Sequence, residues 1–135
     1  MGESGAHDFD PQEITEEQRK ARGLLGNARN AERDGELYKA IAYDMSALKV
    51  NPELQDARDH LSELRSKLPS AAELIRKGQD YYQQEDLEAA KEEWEKALLI
   101  DPGNAQALEY VARAEQLLAS LERLRSEPGI GAEEK

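Results

Sequence analysis

The stretch EEWEKALLIDPGNAQALEY, residues 92–110, changes character twice in nineteen letters. Charged residues surround a single tryptophan, an apolar run from Ala97 to Ile100 follows, and Asp101-Pro102-Gly103-Asn104 then interrupts the pattern. A proline at that place ends a helix, because it lacks a donor and crowds the preceding turn. The apolar run is too short to span a bilayer, so it reads as a strand, a core helix or a surface for a partner.

Composition decides between these. Thr occurs once, Val twice and Ile five times, whereas Glu, Lys, Leu, Ala, Arg and Gln dominate. These are helix formers, and residues favoured in sheets are scarce. Aromatic residues make up 5% of the chain, so the core must be built from Leu, Ala, Ile and Val. A length of 135 residues suffices for a real core.

Working outward, helix signals recur. Thr15-Glu16-Glu17-Gln18 and Ser70-Ala71-Ala72-Glu73 are capping-box patterns. Asp34-Gly35 and Gln84-Glu85-Asp86 read as short turns, and Asn51-Pro52 as a second stop. The spacing of apolar residues predicts six helices at about 15–33, 36–50, 53–67, 71–83, 87–100 and 105–125. The expected class is all-α. Residues 1–13 and 126–135 carry no apolar period and read as flexible tails.

The helices form two sets of three. ALKVNP at 47–52 and ALLIDP at 97–102 are offset by 50 residues, and the same offset aligns Leu24 with Leu74, Leu37 with Leu87, Ala40 with Ala90, and Ala57 with Ala107. Matches spread over three helices indicate an internal repeat. The expected modules are 14–68 and 69–125, divided near Pro69.

Within 71–104, Gly78, Tyr81, Ala90, Trp94, Ala97 and Pro102 fall at the spacing of a tetratricopeptide repeat, and this unit resembles that family over 34 residues. Small side chains at Gly78 and Ala90 let two antiparallel helices approach, and Tyr81 and Trp94 fill the wedge beside the crossing. Residues 21–54 are a weaker copy: Ala28, Ala40, Ala47 and Pro52 hold the small and breaker positions, but Ala31 replaces an aromatic. Asp44 stands where a large apolar residue is usual, a space that Tyr43 or Met45 is expected to fill by a slight rotation.

The resemblance implies a helix-turn-helix superhelix of two three-helix modules, whose third helices, 53–67 and 105–125, cover faces left open by each repeat. It also implies a non-catalytic adaptor that holds a protein or peptide partner in a groove lined by the first helix of each pair. By resemblance the groove residues are Arg22, Leu25, Arg29, Glu32 and Arg33 in the first repeat, and Ile75, Gln79, Tyr82 and Gln83 in the second. The family's carboxylate clamp needs Lys and Asn where this chain has Leu25, Arg29, Ile75 and Gln79, so chaperone-tail recognition is not expected.

Charge adds to this reading. The chain carries a formal net charge of −11, which repels phosphate backbones and argues against nucleic-acid binding. Yet residues 19–33 hold five bases (Arg19, Lys20, Arg22, Arg29, Arg33) against Glu32 alone, while 85–95 hold six acids against Lys91. The basic helix is either a solvated face or a groove for an acidic segment, arginine being suited to carboxylates. One such segment is His7-Asp8-Phe9-Asp10 of the same chain.

Catalytic candidates are few. There is no cysteine, hence no thiol nucleophile, disulfide or zinc–thiolate site. His60 shares a helix face with Asp56, which reads as an exposed ion pair in preference to a weak metal site. No cofactor, metal or enzymatic activity is expected. Leu117, Leu118, Leu121 and Leu124 extend an apolar stripe past the second module, which reads as a homodimer contact, a seat for a further repeat, or a fold-back onto its own module. No leader or membrane span is visible, and a cytoplasmic location is expected, with a periplasmic or secreted one after leader removal left open.

Overall fold

The computed structural model describes residues 14–127. Six helices run through them in order: α1 Glu16–Arg33, α2 Leu37–Val50, α3 Gln55–Ser66, α4 Ala71–Gln83, α5 Leu87–Ile100 and α6 Ala105–Ser126. There is no strand among the described residues. The chain is all-α.

The chain divides into two compact units between Lys67 and Leu68. In unit 1, α2 packs against both α1 and α3; in unit 2, α5 packs against both α4 and α6. The predicted helix ends hold to within two residues, and the largest difference is the start of α3, which waits until Gln55. Pro52 and Glu53 form a turn there, closed by the Leu54 amide donating to the Asn51 carbonyl at 3.2 Å.

Local chemistry explains the helix starts. Thr15 Oγ1 accepts from the Gln18 amide and Gln18 Oε1 from the Thr15 amide, both at 3.0 Å, a reciprocal capping box. Ser70, Asp86 and Asn104 cap α4, α5 and α6 through the amides of Glu73, Ala89 and Ala107. The two helical hairpins turn through equivalent left-handed residues, Gly35 at φ 82° and Glu85 at φ 65°. A non-glycine residue in that region costs on the order of 1 kcal/mol.

Small residues make the helix crossings. Ala28, Ala40, Ala47, Ala90 and Ala97 are wholly buried. Gly78 is required by its neighbour: a Cβ there would overlap the Trp94 indole, 2.6 Å from Cδ1 and 2.7 Å from Cε2. The indole Nε1 donates to the Ile75 carbonyl at 3.1 Å, so the pyrrole edge of Trp94 is held against the α4 backbone. Pro52 and Pro102 directly follow the C-cap residues Asn51 and Asp101. Of the apolar run that opened the reading, Ala97 is fully buried and Leu98, Leu99 and Ile100 are partly so. It is the core-facing end of α5.

Candidate functional site

The two units carry different chemistry at the same three positions. Tyr82, Trp94 and Tyr110 in unit 2 correspond, at the 50-residue offset, to Glu32, Asp44 and His60 in unit 1. In unit 2 the three rings pack together: Trp94 has centroid distances of 6.2 Å to Tyr82 and 4.9 Å to Tyr110, with tilts of 42° and 48°. Tilted pairs of this kind are favoured by the ring quadrupoles. The ring partner of Trp94 on α4 is thus Tyr82, and Tyr81 beside it is half-buried.

In unit 1 the corresponding cluster is polar. His60 Nδ1 lies 2.5 Å from Asp44 Oδ2, and Nε2 lies 2.7 Å from Glu32 Oε1. Asp44 is fully buried, His60 is 8% exposed, and Lys67 Nζ donates to the other Glu32 oxygen at 3.2 Å. Two expectations are corrected here. His60 does not form an exposed pair with Asp56, because Ala57, His60, Leu61 and Leu64 form the inward stripe of α3. Asp44 does not rotate out in favour of Tyr43 or Met45; it keeps its register between Ala40, Ile41 and Ala47 and pairs through Oδ2 with the histidine.

The electrostatics follow from this geometry. Burial pushes the Asp44 carboxyl up to about 6, against the opposing pull of His60 and Arg29. Glu32 is lowered, chiefly by its hydrogen bonds from His60 and Lys67. Asp44 Oδ1 is buried without a hydrogen-bond partner. Among the described residues no group of three or more His, Cys, Asp or Glu side chains is placed to hold a metal ion.

Beside the aromatic cluster lies an open cavity of about 370 Å³. Gln79, Tyr82 and Gln83 of α4 line it, together with Trp94 of α5 and Tyr110, Arg113 and Leu117 of α6. The Tyr110 hydroxyl oxygen accepts from Gln79 at 3.2 Å and from Gln106 at 3.1 Å, which fixes the ring at the rim. Tyr82 is 47% and Leu117 39% exposed, so the walls offer apolar surface to solvent. Three of the four second-repeat groove residues meet here. The fourth, Ile75, is only 5% exposed and belongs to the core, so its placement in the groove is corrected.

Unit 1 has its own cavity, of about 360 Å³, lined by Arg22, Leu25, Gly26 and Arg29 of α1, Leu54 and Asp56. Leu25, the counterpart of Ile75, is 5% exposed and forms its floor. Arg33 is exposed in the last turn of α1 and lines neither cavity. Tyr110, Arg113, Leu54 and Asp56 were missed from the sequence because they come from, or lead into, the third helices. The 50-residue offset, which pairs Tyr110 with His60, was a signal for Tyr110 alone.

The buried residues of α6, Ala107 and Ala114, lie in its first half. Beyond them Leu117, Leu121 and Leu124 are 39%, 49% and 49% exposed, and Leu118 is half-buried. No helix among the described residues is long and apolar enough to cross a membrane. The segment His7-Asp8-Phe9-Asp10 lies outside the described residues. Compared with known proteins, the chain matches no family model and no curated sequence.

Proposed function

We propose that this protein is a non-catalytic interaction module of tetratricopeptide-like design, an adaptor that captures segments of a protein partner in the clefts beside its first helices. The observation that carries this reading is a pair of open cavities beside the first helices, one walled by α1 and one by α4. The aromatic cleft of unit 2 suits an apolar or aromatic side chain, because Tyr82 and Leu117 present dry surface while Gln79 and Gln83 offer amides. The arginine cleft of unit 1 suits a carboxylate above an apolar floor. Each cleft therefore has its own expected ligand, an acidic segment in unit 1 and an apolar or aromatic side chain in unit 2.

The buried histidine supports the non-catalytic side of this reading. Both His60 ring nitrogens face carboxylates and the ring is withdrawn from solvent, so it acts as a bridge between helices. A general base needs one nitrogen free to reach a substrate proton.

Selection of random peptides displayed on phage, against the full chain, tests the proposal. Acidic peptides and peptides with an exposed aromatic or aliphatic residue should both be enriched. Arg22→Ala with Arg29→Ala should weaken the acidic peptides, and Tyr82→Ala with Leu117→Ala the aromatic or aliphatic ones, by tenfold or more in each case. Affinities unchanged in both double variants refute it. The leucines of α6 favour a second reading, self-association through that helix, which Leu118→Glu with Leu121→Glu should abolish.

A further inference from the structure

In unit 1 a single imidazole ties three helices together. His60 on α3 reaches Asp44 on α2 and Glu32 on α1, at 2.5 and 2.7 Å. An imidazole donates from both nitrogens only when it is protonated, because the neutral ring keeps one acceptor lone pair. Both contacts can thus be hydrogen bonds only if the cluster holds an extra proton, on the ring or on a carboxyl. The other charged groups facing the cluster are Arg29 of α1, which acts on Asp44, and Lys67 after α3, which pairs with Glu32 at 3.2 Å and Glu63 at 3.9 Å.

We propose that the Glu32–His60–Asp44 cluster is a proton-operated latch that holds α3 onto α1 and α2 and thereby regulates the arginine cleft of unit 1. Three structural facts carry this. Asp44 is fully buried and its Oδ1 has no partner, so the charged form is poorly solvated there and a proton is readily accommodated. The cleft and the latch share their parts. Arg29 lines the cleft and is also drawn by the Asp44 charge, while Leu54 and Asp56 close the cleft from the start of α3, one turn before His60. Finally, unit 2 holds Tyr82, Trp94 and Tyr110 at the equivalent positions, three packed rings with neither a carboxylate nor an imidazole among them.

Asp44 has its proton affinity raised in the folded unit, from the ordinary 3.8 to about 6. A carboxyl shifted upward stabilises the docked state while protonated, and that advantage fades as pH rises through the folded value. Glu32 acts oppositely, but its lowered value confines that effect to pH below 4.5. Between pH 5 and pH 7 the docked form of α3 should lose about tenfold of its equilibrium advantage. Protonation also removes the negative charge that competes for Arg29, so the cleft should hold anions more firmly at the acidic end.

Hydrogen exchange of the full chain, corrected for the intrinsic rate at each pH, tests the latch directly. Amides of residues 55–66 should be about tenfold better protected at pH 5 than at pH 7, while residues 105–116 of unit 2 show no such slope. Asp44→Asn should flatten the slope. So should Glu32→Tyr, Asp44→Trp and His60→Tyr combined with Ala28→Gly, which transplants the aromatic set. A wild-type slope in α3 that is flat or reversed overturns the latch, whatever the variants do. Its regulatory half rests on the reading of the arginine cleft as an anion site, and a labelled hexaglutamate peptide is the probe. Tighter binding at pH 5 than at pH 7, lost in Asp44→Asn, supports it. Absence of hexaglutamate binding at every pH overturns the cleft reading and leaves the exchange result to judge the latch.

Discussion

A methyl group added at Gly78 would enter space that the Trp94 indole already fills, with Cδ1 and Cε2 at 2.6 and 2.7 Å from the new carbon. Elsewhere in a helix the same change helps, since alanine is favoured over glycine by about 1 kcal/mol. Here the obstacle is a ring that is 4% exposed and tied by its Nε1 to the Ile75 carbonyl, so it cannot swing aside. Forced overpacking costs about 1–3 kcal/mol, and loss of the indole hydrogen bond about 1 more. After the helix-propensity gain, Gly78→Ala should destabilise unit 2 by about 1–3 kcal/mol. In a Trp94→Leu background the obstruction is gone, and the same change should stabilise by about 1 kcal/mol. Urea denaturation of the full chain followed by circular dichroism, for the wild type, both single variants and the double, gives the coupling energy. A coupling below about 0.5 kcal/mol, or a stabilising Gly78→Ala in the wild-type background, would refute the packing argument. Unit 1 already contains a natural version of this cycle: Ala28 stands in for Gly78 where Asp44 stands in for tryptophan, and Ala28 is wholly buried.

His60→Ala should destabilise unit 1 by about 3 kcal/mol at neutral pH, because it leaves the buried Asp44 charge unpaired; urea midpoints would measure it, and a loss under 1 kcal/mol would mean that water replaces the ring. Glu85→Gly should stabilise the α4–α5 turn by up to about 1 kcal/mol, since Glu85 holds a left-handed φ of 65° that glycine adopts freely; a lowered melting temperature would contradict that. Arg29→Ala should weaken acidic peptides at least tenfold and leave circular dichroism unchanged, as read by fluorescence anisotropy. Under the self-association reading, sedimentation should show oligomers that Leu121→Glu disperses, whereas a wild-type monomer at high micromolar concentration removes that reading.

The helix boundaries were legible because they depend on local chemistry. Thr15, Ser70, Asn51-Pro52 and Asp101-Pro102 act within a few residues of themselves, so their effect does not wait for a tertiary partner. The 50-residue repeat was legible for a related reason: small residues such as Ala40 and Ala90 are needed wherever two helices cross closely. What misled the reading was the assumption that a charged side chain at a core position must turn away. Asp44 and His60 are 16 residues apart, and neither is tolerable inside without the other. Only folding brings them to 2.5 Å, with Glu32 on the far side of the ring.

Sequence by itself determined that this protein is all-α, where its helices start and stop, and that its two halves repeat one plan. Those features follow from propensity, capping and the period of apolar residues, each of which is a property of short segments. Tertiary structure alone decided what fills the wedge in each half: two tyrosine rings around Trp94 in one, and two carboxylates around His60 in the other. It also withdrew Ile75 into the core and brought Tyr110 and Arg113 to the cleft. The reason is physical: burial and pairing depend on which distant side chains share a space, and no local pattern carries that information.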